Sequence, residues 1–435
     1  MLKKIENLAS KLATQGFDRA EVQRLIAKVE EDGVASPREL ASLKQLLAND
    51  GFVDRPSRKD RDNFVGHGRE ELATYIKFVE RVNDLGRKGV RGEAAIRGSA
   101  IGDRPDIDVK RYRETVEILA GARPTTLTDD AGKKHRVYFR DRFLGSPKNQ
   151  LDQMVQWLTQ QYQALGLDAQ LEPVKWHNRT YYNVIVTFPG ESKQAIALCD
   201  HYDVAAKETI LKNHIADLKQ HYGLSDAEIK KRLDSIKQGE AVPGADDNAS
   251  ASSALLETAA FLKKQLDQGV KLGHPVKIVH LVGEEFPASC LGGRVFLKNA
   301  LERKEKLAGV VVLDMIGVDR TKQRKVQLSV GRNDASLEMA ALVKAEVRGS
   351  DLDLKPVLRP FNSRKSYLYN TDGIEFSRAG LPVILLNEHV NKDRDLYRIG
   401  YHDEFDTPQL MDFGFATEVT RAALHTVYRM AEPTR

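Results

Sequence analysis

Short, uninterrupted apolar runs that alternate with helical patterns are the feature that most constrains the fold of this chain. Such runs are typical of strands buried on both faces of a sheet, because a half-exposed strand alternates apolar and polar residues instead. The runs are Asn183–Phe188, Ala195–Cys199, Val276–Val282, Val310–Leu313 and Pro382–Leu386. Apolar residues at helical spacing lie between and beside them, at Leu151–Leu165, Ser250–Leu266, Gly293–Leu307, Ser336–Val347 and Leu410–Met430. The sequence therefore predicts an α/β fold, with a mainly parallel central sheet and helices on both faces.

The amino-terminal part of the chain has a different pattern. Residues 1–100 contain short stretches of helical periodicity, separated by turn signals such as Asp32-Gly33 and Asp50-Gly51, and a longer helical pattern at Glu70–Asp84. We therefore predict an all-helical amino-terminal module over residues 1–100 and an α/β domain over residues 105–435. Within that domain, helical patterns across residues 208–240 predict a helical insertion.

Composition excludes several classes of protein. Lys and Arg total 67 against 62 Asp and Glu, and the resulting net charge of +5 is spread along the chain, which argues against nucleic-acid binding. Two cysteines in 435 residues exclude a disulfide-built scaffold and leave open whether Cys199 and Cys290 pair. The chain has no apolar run long enough to span a membrane, and its first residues are too charged for a secretory signal. We expect a cytoplasmic protein that contacts neither membranes nor nucleic acid.

Acids and histidines follow the predicted strands at the points where these end. Asp200-His201-Tyr202-Asp203, Gly283-Glu284-Glu285 and Asp314 come directly after three of the runs. A Gly244–Asn248 turn and a Tyr401-His402 pair add further carboxylates and a second histidine. An Asp-Asp pair before a helix is, taken alone, most often a helix cap. However, the carboxyl ends of parallel strands meet at one edge of the sheet, which is where active sites lie, so all these groups are expected there together. Two histidines with several carboxylates there indicate a divalent metal site, with zinc the leading candidate. These side chains offer more ligands than one tetrahedral zinc ion requires. Two metal ions that share a bridging carboxylate would use all of them.

These motifs resemble those of a known family, the co-catalytic zinc exopeptidases, which include bacterial aminopeptidases, glutamate carboxypeptidase II and the glutaminyl cyclases. The resemblance covers residues from about 110 to the carboxyl terminus. It rests on motifs in the family's order: His201-Tyr202-Asp203, Pro243–Asn248, Gly283-Glu284-Glu285, Leu313-Asp314-Met315 and Tyr401-His402 with Asp406-Thr407. It implies the zinc-exopeptidase type of α/β fold and a hydrolase that acts on peptides.

The resemblance also implies a ligand set for two Zn²⁺ ions, with Co²⁺ or Mn²⁺ as alternative metals. Asp247 would bridge the ions. His201 and Asp314 would complete one site, and Glu285 and His402 would complete the other.

Three further assignments concern the chemistry around the metals. Glu284 would be the general base, and adjacent glutamates after a strand can point to different sides of a metal centre. Asp203 would hold His201 in its ligating tautomer. Tyr367 or Tyr369 could donate a hydrogen bond to the oxyanion, although aromatic residues at such spacing are more often packing.

Four functions remain open at this point. The leading prediction is an aminopeptidase with peptide substrates, and the chain could form a homo-oligomer. A carboxypeptidase would use the same chemistry, with Arg364 and Lys365 pairing with the substrate carboxylate. A glutaminyl cyclase uses one zinc, so the intact Asp246-Asp247-Asn248 sequence counts against it. A non-enzymatic binding module is disfavoured because every predicted ligand and the base are present.

Overall fold

A computed structural model of the protein describes residues 37–48, 68–87, 107–129, 131–207, 241–361, 365–390 and 398–434, with a few isolated positions elsewhere. Apart from residues 225–227, the predicted insertion at 208–240 lies outside the described residues, as does Arg364.

An eight-stranded central sheet organises the molecule. Its strand order is β10-β9-β11-β8-β5-β7-β4-β3. The strands are β3 (Ala169–Trp176), β4 (Arg179–Phe188), β5 (Gln194–His201), β7 (Val276–Leu281), β8 (Lys306–Leu313), β9 (Lys325–Val330), β10 (Lys355–Arg359) and β11 (Val383–Glu388). Two small antiparallel pairs lie outside it: β1 (Thr125–Thr128) with β2 (Lys134–Val137), and β6 (Lys271–Leu272) with β12 (Pro433–Thr434).

Helices cover both faces of this sheet. They are α1 (Pro37–Ala48), α2 (Gly68–Arg87), α3 (Val109–Leu119), α4 (Leu151–Ala164), α5 (Ser250–Asp267), α6 (Leu291–Glu302), α7 (Asp334–Gly349), α8 (Gly373–Arg378) and α9 (Phe413–Met430). Side chains cap several of them, as when Asp412 accepts a hydrogen bond from the Phe415 backbone N–H at the start of α9 (3.0 Å). No helix in these described ranges is long and apolar enough to cross a membrane.

The continuous apolar runs build two cores, one on each face. Ile196 and Leu198 of β5 belong to the core that contains α5, α7 and α9. The alternate residues Ala197 and Cys199 belong to the core that contains Phe296 of α6 and residues of α8. Because successive side chains of a strand point to opposite faces, burial on both faces requires an apolar residue at every position. The predicted α/β class with a large central sheet is thereby confirmed.

The sheet is mixed rather than simply parallel. Strands β5, β7, β8 and β11 are parallel to their neighbours within this group, so their carboxyl ends lie at one edge. By contrast, β4 runs antiparallel to both β3 and β7, and β9 runs antiparallel to β11. Strand direction leaves no trace in an apolar run, which explains why the sequence could not reveal the reversal.

One predicted helix is too long at its carboxyl end. The pattern at Gly293–Leu307 predicts a single helix, but α6 ends at Glu302 and β8 begins at Lys306. Lys304 between them has a φ of 54°, a left-handed conformation that ends the helix. Leu307 therefore belongs to the core as a strand residue.

The two described amino-terminal helices pack against each other and, through α2, against α7. Helix α2 lies against α7, where Arg81 pairs with Glu338 at 2.7 Å. The ring of Phe78 lies 5.4 Å from the Lys344 ammonium group, and the Phe78 side chain is fully buried. The separate helical module over residues 1–100 stays a prediction, because most of its length lies outside the described residues.

Candidate metal centre

The carboxyl edge of the parallel strands brings together side chains from five separate segments. Strand β5 ends at His201, Glu284 and Glu285 follow β7, and Asp314 follows β8. The other two contributors are Asp247, from the turn before α5, and His402, from the loop before α9. All six predicted residues therefore meet at one place.

Asp247 lies at the centre of this group, with its two carboxylate oxygens facing different imidazole rings. Oδ1 lies 3.2 Å from Nε2 of His201, and Oδ2 lies 3.3 Å from Nε2 of His402. Asp314 Oδ1 lies 3.7 Å from the same His201 nitrogen, and Glu285 Oε1 lies 3.4 Å from the same His402 nitrogen. Although burial acts to raise it, the two imidazoles hold the pKa of Asp247 below its usual value. A carboxylate with one oxygen in each of two donor groups has the geometry that bridging two metal ions would require.

The donor atoms form two compact groups that share this carboxylate. Within each group the ligand atoms lie within 4.8 Å of one another: His201, Asp247 and Asp314 in the first, and Asp247, Glu285 and His402 in the second. Both ring nitrogens of His201, Oδ1 of Asp314 and Oε1 of Glu285 are buried without a hydrogen-bond partner among the described residues. Buried polar atoms are nearly always paired, and imidazole with carboxylate suits zinc. The residues therefore fit the predicted metal.

Glu284 lies beside both groups. Its Oε2 is 3.9 Å from His201 Nε2, and the side chain is only 9% exposed. Burial raises the pKa of Glu284 well above its usual value; His201 opposes the rise, while the charges of Glu285 and Asp314 add to it. A carboxyl group with a raised pKa can both accept and return a proton near neutral pH. A third compact group joins Glu284 to His201 and Glu285, so the geometry also allows it to reach a metal.

The Asp203 carboxylate supports the turn that carries the two glutamates. Its Oδ1 accepts hydrogen bonds from the backbone N–H groups of Gly283 (2.9 Å) and Glu284 (3.2 Å), and its Oδ2 accepts from Glu285 (3.3 Å). The same Oδ1 is 3.7 Å from Nδ1 of His201, which is longer than a direct hydrogen bond. The orienting role of Asp203 toward His201 stays a prediction, whereas its contact with the turn is a function that sequence reasoning missed.

The turn that carries Asp247 is fixed at its backbone. Gly244 has a φ of 64°, and a Cβ there would lie 2.6 Å from the Asp247 carbonyl oxygen, so only glycine fits. The Asp406 carboxylate accepts hydrogen bonds from the N–H groups of Asp246 (2.7 Å) and Asp247 (3.1 Å). Asp406 thus ties the bridging turn to the segment that supplies His402.

Asn248 fixes the backbone on both sides of a second predicted ligand, Asp314. Its Nδ2 donates to the Leu313 carbonyl at 3.0 Å, and its Oδ1 accepts from the Met315 N–H at 3.2 Å. These are the two neighbours of Asp314, so one amide side chain holds the backbone on both sides of that ligand.

Two buried arginines lie next to the site, and sequence reasoning missed both. Arg398 contacts the carboxylates of Asp246 (3.3 Å) and Glu388, below the bridging turn. Arg142, in the loop before α4, donates hydrogen bonds to backbone carbonyls near the site and is 1% exposed. Arginines are usually solvated, and neither stands in a motif, so the sequence carries no signal that could have found them.

A cavity of about 240 Å³ opens onto the ligands. Tyr367 and Tyr369 both line it. The Tyr367 hydroxyl lies 3.0 Å from that of Tyr401, whose ring stacks on His402 at 4.0 Å. The Tyr369 hydroxyl instead donates to the Phe361 carbonyl at 2.6 Å.

The structure also describes Lys365, a predicted substrate contact, and the two cysteines, whose pairing the sequence left open. Lys365 is not among the residues that line it, and its backbone N–H donates to the Ser363 hydroxyl at 3.3 Å. Cys199 and Cys290 are both buried free thiols. Cys290 lines the cavity with its Sγ 3.9 Å from Oε1 of Glu284.

Comparison with known proteins gives the family. Residues 183–427, which contain every predicted ligand and Glu284, match the model of peptidase family M28. The chain belongs to this family. It is therefore a peptidase, a hydrolase that acts on peptides. No match is found among curated proteins.

Several solved structures share the fold of this M28 peptidase at low sequence identity. The LapA aminopeptidase of Legionella pneumophila has a TM-score of 0.53 and 13% identity, covering 95% of this chain and 89% of LapA. A Bacteroides thetaiotaomicron glutaminyl cyclase bound to N-acetylhistamine has a TM-score of 0.53 and 15% identity, covering 75% of this chain and 99% of its own. A Zn-dependent exopeptidase from Parabacteroides distasonis has a TM-score of 0.50 and 15% identity, with coverages of 75% and 99%. These neighbours include an aminopeptidase and a glutaminyl cyclase, two of the four functions left open, and at this identity they show the fold without choosing between them.

Proposed function

We propose that this M28 peptidase is a zinc-dependent aminopeptidase whose centre holds two metal ions. The observation that carries the proposal is the position of Asp247, with one carboxylate oxygen facing each imidazole. In this assignment His201 and Asp314 complete one site, and Glu285 and His402 complete the other. When bound, zinc lowers the pKa of water, polarises the scissile carbonyl group and stabilises the developing oxyanion.

Glu284 is the general base in this proposal. Its buried carboxylate lies at the cavity wall, where it can accept a proton from the attacking water. It then returns that proton to the leaving amine, because the nitrogen must be protonated before the peptide bond can break. The same group acts twice, and general acid–base help of this kind contributes about 10²–10⁴-fold to the rate. Tyr367, which also lines the cavity, can add a hydrogen bond to the oxyanion.

The side chains that line the cavity favour the amino end of a peptide over its carboxyl end. Its described lining includes four carboxylates: Asp247, Glu284, Glu285 and Asp314. A substrate α-amino group can pair with a carboxylate that metal binding leaves negative. A substrate α-carboxylate needs a cationic side chain as its partner, and the described lining supplies no lysine or arginine. The aminopeptidase reaction therefore suits this lining better than the carboxypeptidase reaction.

A peptide library with blocked termini tests the proposal. Zinc-loaded protein is incubated with three versions of each peptide: free at both ends, acetylated at the amino end, or amidated at the carboxyl end. Mass spectrometry should show stepwise loss of amino-terminal residues from the free and amidated peptides, and none from the acetylated ones. A chelator-treated sample should leave all three unchanged.

The other outcomes identify other reactions. Shortening of the acetylated peptides from their carboxyl ends would establish a carboxypeptidase. Loss of ammonia from peptides that begin with glutamine, without shortening, would establish a glutaminyl cyclase. Either result would refute the aminopeptidase assignment.

A further inference from the structure

Arg142 is a fully buried arginine that lies beneath the metal centre. Its guanidinium group donates to the Tyr202 carbonyl through Nη1 at 2.7 Å, and to the Pro243 and Gly244 carbonyls through Nη2 at 2.9 and 3.1 Å. The side chain is 1% exposed, although it carries a charge that water would solvate well. A charged group in such a position must be held there by its partners.

The three carbonyls belong to two different ligand segments. Tyr202 directly follows His201, and Pro243-Gly244 opens the turn that carries Asp247. Arg142 thus contacts the backbone next to one predicted ligand and the backbone before the other. These two segments are far apart in the sequence. Their spacing decides whether Nε2 of His201 and Oδ1 of Asp247, 3.2 Å apart, can share a metal.

The surrounding charges explain why a cation is tolerated at this depth. Burial lowers the pKa of Arg142 to about 10, opposed by Asp406, Asp203, Asp247 and Asp200, so the guanidinium stays protonated at neutral pH. It therefore contributes a fixed positive charge on the protein side of an acidic cluster. Without metal, that charge also reduces the repulsion among the carboxylates.

We propose that Arg142 is a positioning residue of the metal centre, which sets the distance between the His201 segment and the Asp247 turn. This inference rests on the two-metal centre of the proposed function. The planar guanidinium carries donors in a fixed fork, so a single side chain can bind carbonyls of both segments at once. A lysine ammonium is a compact point charge on a flexible stem, and cannot reproduce this geometry.

Zinc affinity, measured by competition with a chromophoric chelator, tests this role without any peptide turnover. We expect Arg142→Met to bind zinc 10–100-fold more weakly than the wild type, as is typical when the support of a ligand is removed. Arg142→Lys keeps the charge and should fall between the two. The absorption spectrum of bound Co²⁺ should change in both variants, because it reports the arrangement of the ligands.

Arg429→Met is the matched control. It removes an arginine whose Nε lies 3.0 Å from Oε1 of the buried Glu346, between α7 and α9. Arg429 lies near the end of α9 that is remote from the ligands, because the Ala431 carbonyl accepts hydrogen bonds from Gly273 and His274 just before β7 begins. This variant should lose stability but keep the zinc affinity and the Co²⁺ spectrum of the wild type.

The outcomes separate the proposal from general destabilisation. Wild-type zinc affinity in folded Arg142→Met would overturn it, and so would an equal loss of affinity in Arg429→Met. If Arg142→Met does not fold, Arg142→Lys decides: reduced affinity in a folded protein supports the proposal, and wild-type affinity overturns it. Wild-type protein that binds two zinc ions but trims no peptides would refute the aminopeptidase assignment alone. Wild-type protein that binds no zinc would overturn both.

Discussion

Replacing Glu284 with glutamine should separate proton transfer from metal binding. The change is isosteric at a site only 9% exposed, so it opens no cavity. It removes the basic oxygen that the proposed mechanism needs. It leaves untouched the two groups of donor atoms that share Asp247. The expected result is a protein that holds its metal but scarcely turns over.

The magnitude follows from the role of the carboxylate. Loss of general acid–base help lowers kcat by about 10²–10⁴-fold, and at 1.36 kcal/mol per tenfold this raises the barrier by about 3–5 kcal/mol. The pKa of Glu284 is raised, which means that the folded protein disfavours its ionised form at neutral pH. Glutamine carries no charge, so burying it costs no more than burying the glutamate. Metal-free Glu284→Gln should therefore unfold at no lower temperature than the metal-free wild type.

The assay combines metal analysis with the kinetics of amino-terminal cleavage. Glu285→Gln, one position away, is the matched control. Its Oε1 lies 3.4 Å from His402 Nε2 within a ligand group, so this variant should lose metal as well as activity. Two zinc ions in Glu284→Gln with near wild-type turnover would refute the assignment of the base. Loss of zinc from Glu284→Gln would show instead that Glu284 is a ligand.

Two further substitutions test the supports of the centre. Asp247→Ala should lose both metals, since its two oxygens face both imidazoles, and metal analysis of the purified variant would show full occupancy if the bridge were wrong. Asn248→Ala leaves the buried Leu313 carbonyl and the buried Met315 N–H without their hydrogen-bond partner. Each such group costs about 1–3 kcal/mol, so the free energy of unfolding should fall by about 2–6 kcal/mol. Denaturant unfolding measures this, with Asn248→Asp as the control that keeps the acceptor alone; an unchanged midpoint for Asn248→Ala would contradict the bracing of Asp314.

The sequence predicted the candidate site better than it predicted the sheet. His201, Glu284, Glu285 and Asp314 could be placed at one edge because each follows an apolar run, and a run buried on both faces is easily seen. The reversed direction of β4 could not be seen, because an apolar run reads the same in both directions. Strand β9 is not among the predicted runs, so neither its presence nor its direction was predicted. Direction is set by the pairing of distant segments, which no local pattern contains.

The supports of the ligands were harder to predict than the ligands themselves. Asp203 supports the Glu284-Glu285 turn through backbone N–H groups, and Arg142 binds backbone carbonyls. Such contacts depend on where the chain passes in space rather than on the identity of the partner residue. A lone arginine in a loop carries no motif, whereas a histidine beside a carboxylate at a strand end does.

The two imidazoles that face Asp247 lie about 200 residues apart in the chain, at positions 201 and 402, and this has a consequence for biosynthesis. Contacts between such distant segments form late, because closing a long loop costs conformational entropy before the contacts can stabilise the fold. The centre cannot exist until β5, β7, β8 and β11 have paired side by side. A growing or half-folded chain therefore carries no competent hydrolase, and activity appears only once the molecule has buried its own backbone.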